Sequence, residues 1–163
     1  MSDNPSATEI DFGYRSVPRD EKAGMVRAVF DSVAPKYDVM NDLMSLGIHR
    51  VWKRIFVNDL APRPHHRLLD LAGGTGDITF GWLNAGGGPA ILSDINAAML
   101  SVGRDRAVDR GLLKGITWAT GDAERLPFPD ASFDAYTIAF GLRNVTDIDQ
   151  ALREAVRVLK PGS

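Results

Sequence analysis

The sequence predicts an α/β fold, a parallel sheet whose strands alternate with helices, standing behind an N-terminal helical cap. Three observations carry that expectation. From residue 67 onward, short apolar runs of strand length alternate with longer amphipathic stretches. The first run ends in an acid and opens into a glycine-rich turn, LLDLAGGTGD (68–77). Before residue 60 the apolar period is that of helices instead.

The elements follow in order. Residues 1–22 carry Pro5, Gly13 and Pro18, which break any periodicity, and read as a loose arm. From Met25 to about Asp59 the pattern is helical. Val26, Val29, Phe30 and Val33 share a face, Pro35 interrupts, and Met40, Leu43, Met44, Val51, Trp52, Ile55 and Phe56 resume it. APRPHHR (61–67) reads as a linker. Strands are expected at Arg67–Leu71, Ala90–Asp94, Gly115–Thr120 and Phe133–Phe140. Helices are expected at about Asp77–Ala85, about Ala97–Arg110 and Thr146–Leu159. Thr146 and Asp149 have capping-box spacing for the last of these, and Ile148, Ala151, Leu152, Ala155, Val156 and Leu159 form its apolar face. GDAERLPFPDAS (121–132) is a loop with two prolines.

Composition narrows the classes. The chain has 163 residues, about one domain's worth, with 44% apolar and 25% charged residues, as in ordinary globular proteins. A net charge of −2 argues against a nucleic-acid partner. There is no cysteine, hence no disulfide, thiolate nucleophile or Cys-based zinc site. The acidic, polar N-terminus lacks signal- and transit-peptide patterns, and no run approaches the ~18 apolar residues of a membrane span, so the expectation is a cytoplasmic protein.

The glycine turn admits several ligand classes. A P-loop needs a Gly-Lys-Ser/Thr ending, which is absent. A dinucleotide fingerprint counted from Gly74 and Gly76 needs its third glycine at 79, where Thr79 stands. The remaining pattern is Asp70, Gly73, Gly76, a turn that lets backbone approach a ligand and leads into a helix N-terminus suited to a carboxylate. A tight turn without any ligand is the plain alternative. Asp94 ends the next strand and can accept from both hydroxyls of a ribose. Asp122 follows the third strand and can accept from an adenine amine while the Ala123 N–H donates to the ring. One acid at a strand end is usually a helix cap; three at successive ends, facing one crevice, point to an amino acid, a ribose and an adenine. Together these are S-adenosylmethionine.

LLDLAGGTGD, SDIN, GDAERLPF and RVLKPG resemble the motifs of class I methyltransferases. VFDSVAPKYDVMNDLMSLGIHRVWKR (29–54) and FGLRNV (140–145) are similar to the ubiquinone/menaquinone biosynthesis C-methyltransferase family, and the resemblance runs from about residue 22 to 162. It implies a Rossmann-like class I methyltransferase sheet, of which the first four strands are present. It divides the chain into an arm (1–22), a helical cap or lid (23–60) and an S-adenosylmethionine-binding domain (61–163). It implies methyl transfer to a ring carbon of a polyprenylated benzoquinol or naphthoquinol, leaving S-adenosylhomocysteine.

Carried over residue by residue, the resemblance assigns Gly73, Gly74, Thr75 and Gly76 to the methionine end, Asp94 to the ribose, and Asp122 and Ala123 to the adenine. Ala139 stands where some members have a contacting serine. Tyr37, Arg143 and Asn144 take the candidate catalytic positions. Arg143 suits a phenolate-stabilising or water-orienting role, since a guanidinium stays protonated. A core role for Tyr37 and a loop ion pair for Arg143 are the plain alternatives. His49 has a suitable pKa for a base, but most histidines are not catalytic. His65 and His66 are adjacent, so a shared metal is not expected, and no metal is assigned.

Family members continue beyond LKPGG, so this chain is expected to be incomplete at its C-terminus, leaving Phe133–Phe140 as an exposed apolar edge that favours self-association. The alternative function is a truncated cofactor-binding or scaffold protein. Arg50, Lys53 and Arg54 share a helix face that is either simply solvated or in peripheral contact with an anionic membrane. A complex with other quinone-biosynthesis proteins is a further partner class.

Overall fold

The computed structural model describes residues 9–12, 15–18, 48–139 and 141–163. Within the expected arm, β1 (Glu9–Phe12) and β2 (Arg15–Pro18) pair antiparallel, Phe12 opposite Arg15. The rest of the described chain runs α1 (Ile48–Asp59), β3 (Leu68–Leu71), α2 (Asp77–Asn84), β4 (Ala90–Asp94), α3 (Ala97–Asp109), β5 (Ile116–Thr120), β6 (Ala135–Thr137), a single 3-10 turn (Leu142–Asn144) and α4 (Ile148–Val158). The sheet order is β5-β4-β3-β6, and every pairing in it is parallel. This is the expected parallel sheet of four strands.

β3 and β4 are central and buried along their whole length. That is why both read as unbroken apolar runs rather than alternating ones. Successive side chains point to opposite faces. Leu69, Leu71 and Ile91 pack with Leu126, Phe133 and Val158 on the α4 side. Leu68 and Ala90 pack with Trp82 on the α2 side. The Trp82 indole is completely buried, and its Nε1 donates to the Gly88 carbonyl at 2.8 Å, so no polar atom of it is left unmet.

Asp70 lies on the α2 face, paired across the sheet with Thr137 of β6 and Leu92 of β4. It is 1% exposed. Its Oδ2 accepts from the Thr79 backbone N–H (3.1 Å) and the Thr79 hydroxyl (2.7 Å), and its Oδ1 from the Thr137 hydroxyl (2.8 Å). One carboxyl group thereby fastens the first turn of α2 to two adjacent strands. Burial pushes its pKa up from 3.8 to about 6, against the lowering effect of the threonine bonds. The expectation that Asp70 faces an open crevice is therefore corrected: it sits beneath the turn, its oxygens turned to threonines.

Gly76 caps α2 with φ 93°, in the left-handed region. A Cβ there would also stand 2.7 Å from Phe80 Cζ, so glycine is required twice over, by the backbone and by the packing.

Three further expectations change. The cap of α4 is Asp147, whose Oδ1 accepts from the Gln150 N–H at 2.9 Å; Thr146 donates its backbone N–H to Glu124 instead. The apolar face of α4 is split, with Ala151, Ala155 and Val158 buried but Leu152 and Val156 48% and 74% exposed, because the first three, at spacings of four and three, share the stripe that meets the core and the other two lie one position round the helix. The fourth strand is shorter than Phe133–Phe140. Phe133 is fully buried, and forms one parallel rung with Leu159, its N–H donating to Val158 O and its carbonyl accepting from Lys160 N. The start of the supposed exposed edge is thus covered by the chain leaving α4; Phe140 lies outside the described residues.

Two outcomes follow for stability. Gly76→Ala is expected to destabilise the chain by about 1–3 kcal/mol in urea titrations, through strain and overpacking against Phe80. For Asp70, the folded pKa exceeds the unfolded one, so its charge opposes folding at neutral pH and this cost fades as pH falls through about 6. The stability of Asp70→Asn relative to the unsubstituted chain should accordingly fall by about 2 kcal/mol between about pH 8 and about pH 4, and a difference independent of pH would contradict the buried titration.

Candidate functional site

The C-terminal ends of β3, β4 and β5 open onto one rim, the place where open parallel sheets bind ligands. The turn after β3 is pinned to the end of β4. Gly73 N–H donates to Ser93 O (3.2 Å), Gly74 N–H to Asp94 Oδ2 (2.9 Å), and Gly76 N–H to Gly73 O (2.9 Å). Gly74 adopts φ 55°, and a Cβ on it would come within 3.2 Å of Met99 Cε and 3.9 Å of Asp94 Oδ2. A Cβ on Gly73 would lie 2.9 Å from Leu92 Cγ. Gly73 and Gly76 are therefore required by the core beneath the turn, and Gly74 by its left-handed backbone and the Met99 side chain packed against it. Thr75 is buried.

Asp94 is 8% exposed. Its Oδ1 accepts from Asn96 N–H at 2.8 Å, and its Oδ2 from Gly74. Burial pushes its pKa up, and the backbone N–H groups of Asn96, Gly74 and Ile95 pull the other way. Each oxygen of an ionised carboxylate can accept about two bonds, so beside these backbone N–H groups the carboxylate keeps capacity for a ribose hydroxyl. Asn96 caps α3, its side chain accepting from Ala98 N–H and Met99 N–H.

β5 delivers the third expected contact. Gly121 N–H donates to Asp94 O at 3.2 Å, which sets the loop after β5 beside the end of β4. Asp122 is exposed and folds onto its own loop, its Oδ1 accepting from Glu124 N–H; Ala123 is half-buried against the α4-side core. Of the three acids expected at one crevice, Asp94 and Asp122 lie along the rim and Asp70 lies below it.

The GLRN segment is brought to the same rim. A Cβ on Gly141 would collide with that of Ala72, so Leu142–Asn144 is set against the residue that opens the glycine turn. Arg143 is exposed and Asn144 half-buried. Tyr37, like His49's side chain, lies outside the described residues.

Two constellations were not foreseen from the sequence. Asp77, the first residue of α2, bridges two cations: its Oδ2 accepts from Lys53 Nζ of α1 (2.5 Å) and its Oδ1 from Arg106 Nη2 of α3 (2.7 Å). Arg106 Nη1 also donates to Thr75 O at 3.0 Å. Burial would raise the Asp77 pKa, but hydrogen bonds and charge from Lys53 and Arg106 hold it below the usual carboxylate value. The second constellation ties down the loop after β5. Glu124 Oε1 accepts from both Thr146 and Asp147 N–H, Glu154 Oε2 accepts from Leu126 N–H, and Arg157 donates to the Leu126 and Phe128 carbonyls. The Glu154–Arg157 spacing of three was a visible signal of it. Among the described residues, no three His, Cys, Asp or Glu side chains converge to hold a metal, and no helix is long and apolar enough to cross a membrane.

Known proteins resemble the whole arrangement. The ubiE/COQ5 methyltransferase family matches residues 16–163. The ubiquinone/menaquinone biosynthesis C-methyltransferase UbiE of Acidiphilium cryptum is 61% identical over 162 residues, covering 99% of this chain and 65% of that protein. The human mitochondrial 2-methoxy-6-polyprenyl-1,4-benzoquinol methylase is 47% identical over 197 residues, covering 99% and 60%. Among solved structures, a SAM-dependent methyltransferase from Aquifex aeolicus superposes with TM-score 0.60 at 21% identity, over 67% of this chain and 58% of its own, and shows the shared fold. The chain thus spans about two thirds or less of its curated relatives' length. On the extent of the family match and the identity to these relatives, the chain belongs to the ubiE/COQ5 methyltransferase family.

Proposed function

We propose that this chain takes part in S-adenosylmethionine-dependent C-methylation of a polyprenylated benzoquinol or naphthoquinol, with the rim of β3, β4 and β5 as the cofactor site. The observation that carries the reading is the pairing of Gly74 N–H with the Asp94 carboxylate. It sets a glycine-rich turn beside an acid that keeps an acceptor position to spare.

Bound S-adenosylmethionine would supply an electrophilic methyl group, which forms a new bond to the ring carbon as its bond to sulfur breaks. The residues divide the remaining work. Gly73, Gly74, Thr75 and Gly76 shape the seat of the methionine end, Asp94 holds a ribose hydroxyl, and Asp122 and Ala123 meet the adenine edge. Arg143, permanently charged, stabilises a ring phenolate and orients the water that takes the departing ring proton. Asn144 hydrogen-bonds a ring oxygen, and Tyr37 donates to another. Contact with the membrane that holds such a quinol belongs to the same reading, and is supported by Val51, Trp52 and Ile55, which lie exposed on α1 next to exposed Arg54.

A second reading is a cofactor-binding scaffold without transfer, since the proposed cofactor rim is built from the ends of β3, β4 and β5 alone. Two measurements separate the readings. Calorimetry should find saturable one-site binding of S-adenosylhomocysteine, with NADH silent, and Asp94→Ala should weaken it at least about tenfold, about what losing one hydrogen bond to a charged group removes. Formation of S-adenosylhomocysteine from a short-tailed quinol should then be slowed by Arg143→Met about 100-fold, with the cofactor affinity unchanged. Cofactor binding without any transfer supports the scaffold; no binding to a folded chain sinks both.

A further inference from the structure

The Lys53–Asp77–Arg106 cluster spans three helices and touches the glycine turn, yet the chemistry above leaves it without a role. Asp77 places a negative charge at the start of α2. A free helix N-terminus attracts an anionic group, and an uncompensated carboxylate in its first turn would repel one. Here the carboxylate is engaged on both oxygens, by Lys53 from α1 and Arg106 from α3. One negative and two positive charges leave the cluster net positive. All three side chains are about one-fifth exposed, so solvent screens them incompletely. Arg106 also holds the Thr75 carbonyl, fixing the turn's far end, and its guanidinium lies 5.8 Å from the Phe80 ring centre, the ring against which Gly76 closes.

We propose that Lys53, Asp77 and Arg106 are positioning residues that select for the carboxylate of the amino-acid end of the ligand: the two cations turn an acidic helix start into an anion-favouring one, and Arg106 holds the turn in the shape that presents it. The proposal rests on the assignment of this turn to the methionine end of S-adenosylmethionine. It also gives the cap helix a part in ligand choice, since Lys53 reaches the turn from α1, which otherwise meets α2 through Val57 under Gly81.

The test compares two ligands that differ in the amino-acid end: S-adenosylhomocysteine, which has the carboxylate, and 5′-methylthioadenosine, which lacks it. Calorimetry is run on the full chain, unsubstituted and as Lys53→Met, Lys53→Arg and Asp77→Asn/Lys53→Met, each checked for folding by circular dichroism. Lys53→Met should weaken S-adenosylhomocysteine about fivefold or more and leave 5′-methylthioadenosine unchanged. Lys53→Arg should restore most of the loss, and the double variant, with the negative charge gone as well, should bind S-adenosylhomocysteine better than Lys53→Met alone. Equal losses for both ligands would reduce Lys53 to a structural role, and no loss for either would remove it from the site; each result overturns the proposal. If the unsubstituted chain binds neither ligand, the cofactor assignment fails, and the proposal falls with it.

Discussion

The turn after β3 is held between two carboxylates, and the rest of the site depends on that constraint. Asp70 grips it from below through Thr79, and Asp94 from the side through Gly74 N–H. Both acids lie on the same face of the sheet, because Asp70 pairs with Leu92 and Asp94 follows two residues later. A buried carboxylate is expensive unless its oxygens are met. Here the donors that meet them belong to the elements that must be positioned, so satisfying the charge and building the site are one event. The same logic extends to Thr137, which brings β6 into the arrangement.

Two further layers act on this frame. On the α4 side, Glu124, Glu154 and Arg157 bind the long loop after β5 to the helix by backbone contacts, and the loop in turn carries Asp122 and Ala123 to the rim. On the α2 side, Asp77 draws α1 and α3 together at the start of α2. The sheet's two faces therefore do different jobs. One fixes where an adenine edge would be met, the other fixes the shape and charge of the turn.

Much of this was legible in the residues. β4 falls at Ala90–Asp94 as read, and the other central elements lie within a residue or two, because buried parallel strands and glycine-stopped helices leave strong local signals. The glycines were also legible, but their reason was only partly so: the core beneath the turn needs Gly73 and Gly76, which no sequence spacing reveals. Asp70 was misplaced because an acid at a strand end looks alike whether it points up to a ligand or down to two threonines 9 and 67 residues away. The cap of α4 moved from Thr146 to Asp147 because Glu124, 22 residues earlier, claims the Thr146 N–H. The cluster at Asp77 joins residues 24 and 29 apart, beyond the reach of any local pattern. Long-range polar contacts were the part of the site that the chain concealed.

The most direct test of the account is amide chemical-shift mapping by NMR as S-adenosylhomocysteine is added to isotope-labelled chain. The account predicts that the largest shifts cluster at Gly73–Asp77, at Asp94–Asn96 and at Gly121–Ala123, three segments far apart in sequence and joined at one rim. Shifts concentrated elsewhere, for example around the opposite end of the sheet near His66 and Lys160, would contradict the assignment of that rim as the cofactor site.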